Sequence, residues 1–128
     1  MKVFKVVSNW GNGLWSARAA YPFLKTYQNQ MGESLIVDEA LAFDSLENAQ
    51  LFCGMHPGMA DEIWEAECET AKPIEKIFRK AWEIPTTITC YKDIDWTKCT
   101  VTEAPQGSLL CTNLQLVEFV ETAYREEF

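Results

Sequence analysis

Residues 62–70, EIWEAECET, set three carboxylates at alternate positions: Glu65, Glu67 and Glu69. On an extended strand, alternate side chains share one face at roughly 7 Å spacing. The three would then form an acidic row while Trp64, Ala66 and Cys68 turn inward. Such a row is either a solvated outer face or a surface that captures a basic partner by mimicking phosphates. A second group is Cys53-Gly-Met-His56, whose spacing suits zinc but supplies half a site. The remaining ligands would come from Cys68, Cys90, Cys99 or Cys111, all distant in the chain. A loop histidine behind a helix that ends on a buried cysteine accounts for the same residues, and no metal or cofactor is expected. A Cys-His nucleophile pair fails at the same place, because a helix C-terminus raises a thiol pKa. No G-x-S-x-G, Walker loop or dinucleotide fingerprint occurs, and GNG at 11–13 reads as a hairpin turn.

Aromatic residues concentrate in the first quarter of the chain. Trp10, Trp15, Tyr21, Phe23 and Tyr27 accompany Arg18 and Lys25. They read either as core and hairpin edge or as the wall of a pocket for a nucleotide-like ligand, which stacking and a cation would hold. In the second case Trp10, Trp15, Arg18, Tyr21 and Tyr27 are the candidate ligand-binding residues. Glu-x-Glu on a strand is also similar to the pattern of ADP-ribosyltransferases. That resemblance implies that Glu65 or Glu67 stabilises an oxocarbenium-like sugar during nicotinamide loss, with Ser16 and Arg18 near the nicotinamide nucleotide. The family's first strand carries Arg or His, and another strand carries a Ser-Thr-Ser pattern. Here the first strand offers Lys2 and Lys5, while Ser16 and Arg18 lie on the second.

The elements that would position these residues follow from periodicity. KVFKVVS and LWSARA flank Asn12-Gly13, which predicts an opening β-hairpin over 2–8 and 14–19. A short strand is expected near Lys25–Gln28, and LIVDEALAF, 35–43, reads as one bent strand or two pieces. In DSLENAQLFCG, Asp44 as N-cap and Glu47 at N3 make a capping box, and Gly54 is a natural C′ residue. The helix is expected over about 45–53. KPIEKIFRKAWEIP predicts a second helix over about 73–83, because Ile74, Ile77, Phe78, Ala81 and Trp82 recur at helical spacing. TTITCY has strong β propensity. SLLCTNLQLVEFV supplies a final strand or strand pair, and 121–128 reads as a polar, frayed tail. The order gives an α+β domain over 1–128, with a mostly antiparallel sheet and two short helices packed on it.

Composition narrows the function classes. A chain of 128 residues with 48% hydrophobic residues and five Trp has ample material for a core. A net charge of −8 argues against direct nucleic-acid binding and against anionic membranes. Five cysteines without a CxxC pair, and a start too short for an apolar signal region, predict reduced, mostly buried thiols in a cytoplasmic compartment.

Four motifs, KVFKVV, GLWSA, LAFDSLENAQLF and EIWEAE, together resemble a scattered group of small proteins from bacteria, phages and large DNA viruses that have no established activity. The resemblance covers residues 2–17 and 41–67. It implies a common small α+β scaffold and a mobile-element origin, and it transfers no catalytic residue. The expectation is a non-enzymatic binding protein for a protein partner or a small nucleotide-like ligand, with a counter-defence role among the possibilities. Catalysis of the ADP-ribosyltransferase type is the alternative.

Overall fold

The computed structural model describes residues 1–17, 23–58 and 60–123. Period-two alternation in KVFKVVS builds β1 (Lys2–Asn9) as a strand covered on both faces. Val3 and Val7 enter one apolar cluster, while Phe4 and Val6 belong to another. β2 (Leu14–Ser16) returns antiparallel, with Val7 opposite Ser16 and Asn9 opposite Leu14. The turn between them needs glycine at 13. Its φ is +122°, and a Cβ there would stand 2.5 Å from the Gln28 carbonyl oxygen. β3 (Thr26–Gln28) pairs with β2.

β4 (Val37–Phe43) leads into α1 (Leu46–Met55), followed by β5 (Asp61–Glu67), β6 (Thr70–Pro73), β7 (Lys76–Phe78), β8 (Val101–Glu103) and β9 (Ser108–Thr122). Every strand pairing among the described residues is antiparallel. The main sheet runs β3-β2-β1-β4-β9-β5, and β5 also pairs with β1, so the circuit closes into a small barrel. β9 is the long member. One edge carries β4, and the other carries β6 and then β5. It serves both through register shifts opposite Ile63–Trp64 and Glu65–Ala66, with Asn113 at φ 48°. The fold is thus α+β, dominated by an antiparallel sheet, with one helix among the described residues and short 3₁₀ turns at Ala81–Glu83, Tyr91–Asp93 and Trp96–Lys98.

α1 covers the outer face: Ala49 and Cys53 are buried against Val6, Phe43 and Ile63, with Leu46 and Phe52 beside them. Its N-cap is Ser45, one residue later than expected, and the Ser45 hydroxyl accepts from the Asn48 amide at 3.1 Å. Asp44 instead accepts from the Asn48 side-chain amide at 2.7 Å. Gly54 lies within the helix, which closes at His56 through its N–H to the Phe52 carbonyl, 2.8 Å.

The second helix expected over 73–83 does not form. Lys76–Phe78 pairs with Val101–Glu103, and the Arg79 amide donates to the Thr100 carbonyl at 2.8 Å. Ile77 and Phe78 suit a strand as well as a helix, and tertiary pairing overrides the helical spacing. TTITCY forms no strand either; its end becomes a 3₁₀ turn whose amides go to a buried carboxylate on β4. Glu121 and Thr122, expected in a frayed tail, pair with Ile63 and Glu62 on β5; residues 124–128 of that tail lie outside the described residues. Among the described residues no helix is long and apolar enough to cross a membrane.

Candidate functional site

Residues 77–91 roof the sheet above β1, β3 and β4, and enclose with it a cavity of about 420 Å³. This volume is in the range of small-molecule sites. Its walls are mainly apolar and aromatic. Phe23, Phe78 and Tyr91 form a three-ring cluster: Phe23 lies 5.1 Å from Phe78 and 5.0 Å from Tyr91, and Phe78 stacks on Tyr91 at 5.8 Å and 19°. Phe43 and Phe52, 5.2 Å apart, wall the helix side. Trp82 lines the mouth and is 80% exposed.

Among the described lining residues, Lys5 is a buried cation. Lys5 projects from β1 on the face of Val3 and Val7 and is only 8% exposed. Its Nζ donates to the Leu41 carbonyl at 2.6 Å and lies 5.0 Å from the centre of the Tyr27 ring. Burial lowers the Lys5 amine to about 8, opposed in part by the Cys111 thiol nearby. Burial likewise raises the Tyr27 phenol above its ordinary value, and raises Tyr91 to about 12 with the charge of Glu39 adding to the effect. Both phenols therefore stay protonated near neutrality. The Cys111 thiol is pushed up to about 12, first by burial and then by Cys68 beside it.

Glu39, on β4, ties the roof down. Its two carboxylate oxygens accept from the backbone amides of Tyr91 and Lys92, so a buried side chain meets donors with no side-chain counter-ion among the described residues. Ser16 Oγ is engaged with the Lys25 backbone in both directions, accepting from its N–H at 2.8 Å and donating to its carbonyl at 3.3 Å. Lys25 Nζ pairs with Asp38 at 3.6 Å, and Arg79 is exposed at the rim.

The residues singled out from sequence fall in three places. Tyr27, Ser16, Phe23 and Lys25 line the cavity. Trp10, 63% exposed, and Trp15, half-buried on β2, do not. Arg18 and Tyr21 lie outside the described residues. The acidic row is elsewhere, and each member has a partner within the chain. Glu65 pairs with Lys2 at 2.5 Å, Glu67 with the N-terminal ammonium at 3.3 Å, and Glu69 accepts from the Asn113 side-chain amide. Neither Glu65 nor Glu67 borders the cavity that Ser16 lines. His56 packs on Phe52 at 5.3 Å, and Cys53 is buried under α1. No disulfide joins the five cysteines, and Cys53, Cys68 and Cys111 are buried. Among the described residues no group of three or more His, Cys, Asp or Glu is arranged to hold a metal.

Lys5, Glu39, Phe78 and Tyr91 were not singled out as site residues from sequence. Lys5 carried a legible signal, since it falls between Val3 and Val7 on one strand face. The other three depend on the roof, whose path no local pattern shows. No family model matches the chain, and neither a curated protein nor a solved structure matches it.

Proposed function

We propose that the protein is a non-enzymatic binding protein that holds one small, flat, anionic ligand of roughly nucleotide size in the cavity beneath residues 77–91. The observation that carries this reading is the cavity itself: an aromatic-walled space of about 420 Å³ with the buried Lys5 in its lining. The small-ligand reading is favoured over capture of a basic protein, because Glu65, Glu67 and Glu69 are already engaged within the chain. Catalysis of the ADP-ribosyltransferase type finds less support, because its two carboxylates lie apart from Ser16 and the cavity. Sequestering a small signalling molecule would suit a counter-defence protein, the setting that the motif resemblance implies.

Native mass spectrometry of the protein purified from cells, with and without added AMP or 1-naphthoate, tests the reading. The expected result is a one-to-one adduct that is lost on denaturation and is weakened by Thr89→Trp, which fills the cavity from the exposed roof. A clean protein mass with every added compound would overturn it.

A further inference from the structure

The chemistry of the cavity's lining defines its ligand more narrowly, on the premise that the cavity is a binding site. We infer that the cavity takes a hydrophobic monocarboxylate, its carboxylate paired with Lys5 Nζ and its flat apolar body laid against Phe23, Phe78 and Tyr91.

Three features lead there. First, Lys5 is more than nine-tenths buried, and among the described residues no carboxylate lies within ion-pair distance of it. An ammonium has three donors. One goes to the Leu41 carbonyl, and the Tyr27 ring face offers a second, weaker interaction. A buried cation without a counter-charge is costly, and a ligand carboxylate relieves that cost on binding.

Second, among the described lining residues Lys5 is the one buried cation. Lys25 is committed to Asp38, and Arg79 sits exposed at the rim. Glu39 brings negative charge to the same lining. One buried cation suits a monoanion, and the repulsion from Glu39 weighs more heavily against the multiple charges of a phosphate ester.

Third, three polar groups of the lining that could read the edge of a nucleobase are already engaged. Ser16 is held by the Lys25 backbone, Ser108 Oγ donates to the Pro105 carbonyl at 2.5 Å, and Glu39 holds the roof amides. An apolar ring system meets the remaining aromatic wall without leaving polar edges unpaired.

The pairing makes affinity depend on the Lys5 proton. Among the described residues, the titratable groups that face Lys5 or share its cavity are Cys111 from β9, Tyr27 from β3, Glu39 from β4, and Tyr91, Lys25 and Arg79 at the sides. With the Cys111 thiol and Tyr91 phenol near 12, it is Lys5, near 8, that changes charge first among these three as the pH rises from neutrality.

Calorimetric titration with 1-naphthoate, its neutral methyl ester and AMP, on wild type and Lys5→Met, is the test. Lys5→Met keeps the side-chain volume and removes the charge. 1-Naphthoate should bind wild type more than tenfold tighter than either comparison compound. Its affinity should fall about tenfold per pH unit above about 8, as the charged amine becomes the minor form. Lys5→Met should lose that preference. The methyl ester keeps the test decisive if Lys5→Met does not fold, because it alters the ligand alone. Equal binding of acid and ester, or tighter binding of AMP, overturns the monocarboxylate inference while leaving the cavity as a binding site. No binding of any of the three overturns the binding-site reading as well.

Discussion

The ammonium of Lys5 stands 5.0 Å from the centre of the Tyr27 ring, with the Leu41 carbonyl as its hydrogen-bond acceptor. β1 and β3 are not adjacent in the sheet; β2 lies between them. The pair therefore meets across the concave side of the curled sheet, where the cavity opens. A lysine held this way loses water without gaining a carboxylate, and its effect on stability and on binding follows from that geometry.

Stability should record the buried charge. The folded amine near 8 lies below the ordinary lysine value of 10.5. Between those two values the unfolded chain holds a proton that the native protein has lost, so this group makes stability rise with pH across that window. Below about 8 both states are protonated and the full burial cost is present. Lys5→Met is expected to be more stable than wild type at pH 7 by about 1–3 kcal/mol. The difference should shrink as pH rises from 8 towards 10.5, as measured by urea unfolding at fixed ionic strength. A difference constant in pH would contradict the assignment.

Glu39 is the latch of the roof. Glu39→Gln replaces a carboxylate that accepts two backbone amides with a group that has one acceptor oxygen. A loss of about 1–3 kcal/mol is expected from the weakened charge-assisted bonds. Hydrogen exchange should accelerate at the Tyr91 and Lys92 amides and leave the β1–β5 pairing protected. Acceleration spread evenly over the chain would show a general destabilisation instead.

Gly13 is fixed by backbone geometry. With φ at +122° and the Gln28 carbonyl oxygen 2.5 Å from where a Cβ would stand, Gly13→Ala must shift β2 or β3. A cost of about 1–3 kcal/mol is expected in chemical denaturation, in line with other strained backbone sites. Gly11→Ala, with open space at its Cβ but a similar positive φ, should cost less.

The enzymatic alternative separates cleanly from the binding account. Incubation with NAD should release no nicotinamide above the protein-free rate. Release that wild type shows and Glu67→Gln loses, with the fold intact, would establish catalysis on the acidic strand.

Much of the fold was legible because its signals are local. KVFKVVS alternates, Asn12-Gly13 turns, and 46–55 has an apolar stripe behind a capping side chain, so the hairpin and α1 follow directly. The cap fell one residue out because Asp44 and Ser45 are both good N-caps, and the choice depends on which side chain reaches Asn48. The segment 73–83 was misread for a different reason. Its apolar spacing fits a helix, but Phe78 is taken by Phe23 and Tyr91, and Tyr91 is held by Glu39 from a strand 52 residues away. The cavity exists only once that roof is placed, so the roof's share of its wall, Phe78 and Tyr91, was invisible in the sequence. Lys5 was not: a lysine between two buried valines is a strand-face anomaly that can be read directly.

The most direct measurement of the central claim is a ¹⁵N–¹H NMR titration of the protein with 1-naphthoate. The account predicts the largest shifts at the amides of Lys5, Ala42, Phe78 and Tyr91, saturating at one equivalent. Shifts absent throughout, or confined to the acidic face of Glu65, Glu67 and Glu69, would contradict it.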